Sequence, residues 1–451
     1  MDHASRGRLP VVTISRRGAD RLRAGHVWVY RSDVIEASGT QPGALVLVQE
    51  RVVASGPTGR ATRALPDKKA RATPILGSAL YSTASEIAIR MISPRTVNDL
   101  EQLVRERIRA AIAYRERFVR NTNAYRVIFS EGDFLPGLIV DRYNDVLSVQ
   151  VLTQAMDAEP MRRVVLSELQ HTLEPAAIVE RVDSRVRKLE QLPERQSGIV
   201  WDNSGGAIAP SSGGGEESST QGRKAGSSAL ETETPVPPQL RTQLQMNGVR
   251  FLYDPLAGQK TGAFLDQREN YSAAEKYARG DALDVFTYQG GFALHLARVC
   301  DRVTGVDSSR PALEAAEANA GLNGRDIEWI EANAFDLLRD YSDAGRQYGT
   351  IVLDPPAFAK SRQNLATAIR GYKELNLRAL KMLRPGGVLI TCSCSYHVSA
   401  IELTGVVSSA ARDSHRILRI LENRGQSKDH PSVLGIPETS YLKCLISVVS
   451  Y

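Results

Sequence analysis

LDVFTYQGGFALHLA, residues Leu283–Ala297, reads as an apolar strand, a glycine-containing turn and the start of a helix. Further β-prone runs follow it: RVTGVD (302–307), IEWIEA (327–332), TIVLD (350–354) and GVLITCS (387–393), most of them leading into a helical stretch. One such helix carries Leu375, Ala379, Met382 and Leu383 on its buried face and ends at Pro385-Gly386-Gly387. Strand–helix alternation of this kind predicts a parallel sheet with helices on both faces, and ligands in that architecture sit beyond the carboxyl ends of the strands. Gly290 and Gly291 let the backbone approach a ligand. Asp307 closes the second strand 16 residues after Gly291, where a carboxylate can hold a ribose's two hydroxyls. The turn lacks the full G-x-G-x-x-G spacing, which disfavours a nicotinamide cofactor. The same residues also read as a tight turn and a helix-capping aspartate.

Upstream the rhythm changes. Ser204–Gln239 is rich in Gly, Ser, Thr and Pro and offers too little apolar surface to offset its ordering entropy, so a flexible linker is expected over 196–240. Before it, Glu159–Thr172 and Val97–Phe118 read as helices, the latter with Leu100, Leu103, Val104, Ile108 and Ile112 at helical spacing while Arg105, Arg107, Arg109 and Arg117 largely face elsewhere. Between these helices lies a run of strands and turns, so residues 93–195 form an α+β segment. The first 92 residues hold short β-prone runs (LPVVTI, HVWVY, ALVLVQ, EIAIRMI) broken by Gly, Pro and Arg, which suits a small β-barrel-like domain. No internal repeat is visible.

Charge is uneven. Residues 1–80 hold 13 Arg or Lys against 6 Asp or Glu, although the whole chain is only +6. A basic module on a near-neutral body points to a polyanionic partner, or else to a solvated basic face. No apolar run nears the roughly 20 residues of a membrane span, and no apolar signal core follows the charged start, so export is not expected. Four cysteines, Cys300, Cys392, Cys394 and Cys444, do not make a disulfide framework in a chain of 451 residues. A reducing cytoplasm fits. The single C-x-C pair lacks two further ligands of matching spacing, so no metal site is expected.

Three further stretches carry a resemblance: GQKTGAFLDQREN (Gly258–Asn270), EANAF (Glu331–Phe335) and LDPPAF (Leu353–Phe358). With GHVWVY, LYSTASEIAIRMIS, EGDFLPGLIVDRY and ERVDSRVRKLEQL, they make the chain resemble bacterial class I S-adenosylmethionine (SAM)-dependent large-subunit ribosomal RNA methyltransferases of the cytosine-5 type. Nearly the whole chain is covered except the linker, and several motifs in one order are far more specific than any alone. The resemblance implies an α/β fold: a C-terminal Rossmann-like class I methyltransferase domain (241–451), preceded by an N-terminal PUA domain (1–92) that binds RNA and by the α+β middle domain. It also implies large-subunit ribosomal RNA as partner and SAM as cofactor. Lys260, Thr261, Phe264, Asp266, Gln267 and Arg268 would lie at the mouth of the cofactor and substrate site. The cofactor residues would be Gln267, Arg268, Asp284, Phe286, Gly290, Gly291, Asp307, Asn333, Ala334 and Asp354. RNA phosphates would meet Arg16, Arg17, Arg21, Arg23 and Lys260. Oligomeric state is not legible; a homodimer is compatible.

The strand-end stretch TCSCSYHV (Thr391–Val398) carries the chemistry. Cytosine C5 is a poor nucleophile, and a thiolate adding to C6 moves electron density onto C5. Alternation along a strand would turn Cys392 and Cys394 the same way, so spacing does not separate them. The resemblance does, because Ser393-Cys394-Ser395 matches the family's catalytic S-C-S, and it makes Asp354 the second catalytic residue, at the pyrimidine N3 edge. Where some RNA cytosine-5 methyltransferases carry a second cysteine after this motif's first proline, this chain has Pro356, which leaves Cys394 to act alone. Phe358 and Tyr396 stand near both loops, as base-stacking or as packing residues. Guanine N-methylation and a non-catalytic ribosome assembly factor are the alternatives; the first would leave the S-C-S idle, the second an intact Asp307, Asp354 and Cys394 set.

Overall fold

A computed structural model of the chain describes residues 9–51, 74–203, 241–256, 263–359 and 361–450. Lys260 and Thr261 lie outside the described residues, as does most of the expected linker.

The N-terminal strands β1 (Val11–Ile14), β2 (Trp28–Tyr30), β3 (Val34–Glu36), β4 (Leu45–Glu50), β5 (Ile75–Tyr81) and β6 (Ile87–Ser93) form a mixed sheet in the order β2-β6-β5-β4-β1-β3. Its two edge strands, β2 and β3, are joined by one tight turn, Arg31–Asp33, so the sheet curls back on itself. Alternate residues of β1 and β4 (Val12, Ile14, Val46, Val48) fill the interior. Helix α1 (Arg16–Arg23) follows β1, capped by the Ser15 hydroxyl.

The middle unit packs α2 (Leu100–Phe118), α3 (Gln154–Asp157), α4 (Glu159–Leu173) and α5 (Ser184–Glu190) with the strands β7 (Ala124–Phe129), β8 (Leu138–Tyr143), β9 (Val146–Val151), β10 (Ala177–Glu180) and β11 (Gly198–Asp202). The α2 stripe Val104, Ile108 and Ile112 is buried as its spacing requires. Arg105 and Arg109 turn to Glu168 of α4. Strand β11 corrects the sequence boundary: residues 198–202 pair with β10 as the sheet's edge. The neighbouring Gly/Ser-rich composition masked the short β-prone run GIVWD.

A hairpin, β12 (Thr242–Met246) and β13 (Val249–Tyr253), leads into the last domain. There β14 (Asp281–Val285), β15 (Arg302–Asp307), β16 (Glu328–Glu331), β17 (Tyr348–Leu353) and β18 (Leu383–Ser393) are parallel. With β19 (Leu418–Arg424) and β20 (Lys443–Val449) they give the order β16-β15-β14-β17-β18-β20-β19. Strand β20 runs antiparallel to both its neighbours, a feature outside the alternation read from the sequence. The helices are α6 (Arg268–Tyr277), α7 (Gly291–Leu296), α8 (Arg310–Asn323), α9 (Ala334–Asp343), α10 (Leu365–Met382) and α11 (Ala400–Asp413). Strand order reverses at β14, so the crevice expected of such a sheet opens between the ends of β14 and β17.

The loop after β19 ties the domains together. Asp429 is fully buried; it accepts from the Arg126 N–H (2.9 Å) and the Arg268 guanidinium (3.3 Å), while its carbonyl accepts from Arg115 (2.8 Å). Burial alone would raise its pKa, but His430 and Arg268 with the Arg126 N–H hold it well below the usual carboxylate range. Tyr143 stacks on Tyr253 at 3.8 Å between ring centres.

Candidate active site

Asp284, Asp307, Asp354 and Cys394 stand at or just beyond the ends of parallel strands. Asp284 is buried in β14; one carboxylate oxygen accepts from the Thr287 hydroxyl (2.6 Å) and the Ala293 N–H (2.9 Å), bracing the turn into α7. Its other oxygen, Oδ1, is buried with no hydrogen-bond partner in the structure. Burial, opposed by those two bonds and aided by the charge of Asp307, pushes this carboxyl up to about 7. The turn itself is strained: Phe286 (φ 67°), Tyr288 (φ 52°) and Gly290 (φ 83°) are all left-handed, which costs on the order of 1–3 kcal/mol for each non-glycine residue. The Phe286 and Thr287 N–H groups both donate to the Val306 carbonyl, and Tyr288 N–H donates to Asp307 (2.9 Å). Gly290 supplies the left-handed φ, whereas Gly291 is set by packing: a Cβ there would lie 2.5 Å from the Tyr271 ring and hydroxyl.

Asp307 ends β15 and also accepts the Ser309 N–H (3.0 Å). That bond closes a turn just before α8 (Arg310–Asn323), whose own N-cap is Ser309 without a side-chain cap bond, so the helix-capping reading of Asp307 is not seen. Each oxygen keeps a lone pair for a ligand hydroxyl. Asn333 caps α9 by accepting from the Phe335 N–H (2.9 Å), Ala334 is buried beside it, and the Ala332 N–H donates to the Asp307 carbonyl.

Asp354 follows β17. Gln267 Nε2 donates to it (3.0 Å), and the Gln267 oxygen accepts from Asn270 (2.7 Å), so the amide is locked. Burial of the carboxyl, with the charges of Asp266 and Asp284, pushes Asp354 up to about 8 against the Gln267 bond; the residue still keeps part of its surface open. It is an acid poised near neutrality. Arg268 does not join this group. Its guanidinium is buried against Asp429 and the Arg120 carbonyl (3.3 Å each), a strut between domains, which corrects its assignment to the cofactor.

The two strand-end thiols diverge. Cys392 is 0% exposed, lies directly opposite Cys444 in the β18–β20 register, and packs in the core. Burial first, then Cys444 and the Asp354 charge, hold its thiol well above the ordinary value. Strand β18 ends at Ser393, so Cys394 sits in the turn beyond the ladder and is half-buried. No disulfide joins any of the four cysteines. Ser395, next to Cys394, clamps the segments that follow β17 and β18: its Oγ accepts from the Ala359 N–H (3.2 Å) and shares a hydrogen bond with Tyr372 (3.0 Å), which also accepts from Ser393 (2.9 Å). Phe358 packs on Tyr372 with ring centres 4.9 Å apart. Tyr396 is 51% exposed, and its hydroxyl reaches Glu438, which also meets His26 of the N-terminal domain (3.1 Å).

The expected RNA-contacting arginines of α1 each lie beside a carboxylate. Arg16 meets Asp20 (3.8 Å), Arg17 and Arg21 both meet Asp33 (2.8 and 3.2 Å), and Arg23 bridges Asp20 and Glu50. Against the burial that would raise it, the bonds from Arg17, Ser15 and Arg21 hold Asp33 below its ordinary value. Among the described residues no group of His, Cys, Asp and Glu is arranged to hold a metal, and no helix is long and apolar enough to cross a membrane. Sequence reasoning missed Tyr372, Glu438 and Lys443. The last had a signal, a lone lysine in the apolar run YLKCLISVV.

Comparison with known proteins agrees with this geometry. The S-adenosylmethionine-dependent methyltransferase family profile matches residues 187–442, and a PUA-like domain profile matches residues 12–59. The chain is 32% identical over 431 residues to the ribosomal RNA large subunit methyltransferase I of Photobacterium profundum, covering 94% of this chain and 95% of the relative. It is 36% identical over 380 residues to the protein of the same name from Aeromonas salmonicida, covering 82% and 87%. The crystal structure of SMU.776 complexed with SAH superposes with a TM-score of 0.72 at 16% identity, covering 98% of this chain and all of that one, a likeness of fold. The cradle fits SAM: Asp284 Oδ1 is buried without a partner, and Asp307 retains acceptor capacity toward ribose hydroxyls. The chain belongs to the SAM-dependent methyltransferases, in the family of the ribosomal RNA large subunit methyltransferase I proteins, and SAM is its cofactor.

Proposed function

We propose that this protein forms 5-methylcytosine in large-subunit ribosomal RNA, in the cytoplasm, through a covalent adduct on Cys394. The observation that supports it is the contrast between the strand-end thiols: Cys392 is sealed in the core, while Cys394 stands in the turn that Ser395 clamps to the Asp354 loop. The relatives named for ribosomal RNA supply the substrate class.

Bound SAM supplies an electrophilic sulfonium methyl. Asp307, Asn333 and Ala334 would border its nucleoside, with Asp284, Phe286 and the Gly290–Gly291 turn beneath it. The target base must leave its stack to reach the cleft. The Cys394 thiolate bonds to C6, and the C5=C6 electron pair moves onto C5, which takes the methyl. Asp354, protonated near neutral pH, donates a hydrogen bond to N3 and draws charge from the ring as the adduct forms, held in place by Gln267. The C5 proton then leaves to a base, its electron pair re-forms C5=C6, and the Sγ–C6 bond breaks. RNA outside the cleft is held by the PUA-like domain, with Arg16, Arg17 and Arg23 exposed, Arg21 half-buried beside them, and Lys260 nearby in sequence to the cleft.

The test is incubation of unmodified large-subunit ribosomal RNA with labelled SAM, followed by mapping of the modified base. RNA carrying 5-fluorocytosine should accumulate a covalent complex that Cys394→Ala abolishes. A labelled guanine would overturn the cytosine assignment.

A further inference from the structure

Lysine 443 sits where an ammonium is costly. Leu442, Cys444, Leu445 and Ile446 around it in the chain are all buried, and a charge in such surroundings needs compensation. Two of its protons are spent on neutral acceptors, the carbonyls of Ser395 (2.7 Å) and Tyr441 (2.8 Å). Among the described residues no carboxylate forms an ion pair with it; Glu402 of α11 contributes only at longer range. The group it does face is Cys394. Lys443 stands opposite Ser393 in the β18–β20 register, bonds the carbonyl of Ser395, and interacts electrostatically with the sulfur between them.

We propose that Lys443 is a positioning residue, which pins the turn carrying Cys394 and sets an ammonium against its sulfur so that its thiolate forms more readily than that of an unperturbed thiol. The inference rests on Cys394 being the nucleophile. The Tyr372 hydroxyl, which bonds both flanking serines, also interacts with the sulfur. Burial lowers the Lys443 ammonium to about 8, opposed by Cys394 and Glu402, so the cation prevails at neutral pH. The proton lost by the thiol goes to solvent, and the Lys443 charge then balances the sulfur left behind. A thiolate beside a cation is the ordinary route to a reactive cysteine.

The test is the pH dependence of Cys394 alkylation by iodoacetamide, read peptide by peptide in the full-length protein. In the wild type the midpoint should fall below about 8.5, the value of an unperturbed thiol. In Lys443→Met it should rise by about one unit, slowing alkylation at pH 7 roughly 10-fold. Methylation kcat at pH 7 should fall by about the same factor, with KM for SAM little changed, and Lys443→Arg should restore part of both. Identical profiles in wild type and Lys443→Met would overturn the proposal. Should the variant not fold, a wild-type midpoint at or above about 8.5 overturns it alone. Alkylation reports on the thiol whether or not it attacks a base, so methylation by Cys394→Ala would sink the nucleophile without touching this measurement.

Discussion

The strand ends of the methyltransferase sheet and the α1 helix of the PUA-like domain handle charge in opposite ways. At the strand ends, groups are kept short of partners: Asp284 Oδ1 has none, Asp354 has a single bond, and both carboxyls are pushed up toward neutrality. On α1 every one of the four arginines has a carboxylate within 4.0 Å, yet Arg16 and Arg17 keep side chains 85% and 67% exposed. Chemistry needs groups held near the balance between two protonation states. Binding a polyanion needs only permanent charge at the surface, and neighbouring acids keep such a face soluble and aligned.

The largest effect should come from the thiols. Cys394→Ala should lower methylation by roughly 10⁴-fold or more, with SAM binding retained by calorimetry. Cys392→Ala should stay within about an order of magnitude of wild type while losing on the order of 1 kcal/mol of stability as a core truncation. Equal losses in the two variants would erase the distinction between strand-end and core sulfur.

Next comes Asp354. Asp354→Ala should cost about 10²–10⁴-fold in kcat. Because the raised carboxyl is needed as its acid, wild-type kcat should decline as pH climbs through about 8. Asp354→Asn, which donates at every pH, should lack that limb. The same shift has a stability sign. A carboxyl raised on folding contributes fully below its unfolded value near 4 and loses that contribution as pH rises through about 8. The melting temperature of Asp354→Asn should therefore exceed wild type by a margin that widens from pH 5 to pH 9. A flat difference would mean that the carboxyl is not raised.

Asp429→Ala tests a buried group that is fully partnered instead. Stranding Arg268 and the Arg126 N–H should cost about 3–5 kcal/mol in urea unfolding. Its depressed carboxyl contributes stability above the unfolded value near 4 that is lost on further acidification, opposite in sign to Asp354. Smallest are the arginines: Arg16→Ala and Arg17→Ala should each weaken RNA binding about 10-fold or less, nearly independently of sequence, and lower the slope of log affinity against log salt by about one unit each. No change in slope would remove α1 from the RNA face.

Much of this was legible along the chain. Alternation over residues 283–393 carries the parallel sheet because strand and helix periods are local properties, and Asp307 and Asp354 follow as strand-end residues, whereas Asp284 came from the family resemblance. What escaped depends on distant partners. Arg268 looked like a ligand-facing residue because Asp429, its counter-ion, lies 161 positions away. Cys392 and Cys394 looked equivalent because nothing local marks Ser393 as the last residue of the ladder. Strand Gly198–Asp202 vanished into the composition of its neighbours, and Lys443 acquires meaning only once β20 is laid beside β18.

The Asp429 junction also imposes an order on assembly. Arg115 meets its intradomain partner Asp133 only 18 positions away, but its last partner in the chain, the Asp429 carbonyl, comes 314 positions later. At about 5–20 residues per second a ribosome takes roughly 15–60 s to supply that stretch, far longer than a small domain needs to fold. In a nascent chain Arg115 can reach Asp133 and the Arg126 carbonyl long before the Asp429 carbonyl exists. Docking of the last domain onto the middle unit through Asp429 is therefore a late, long-range event.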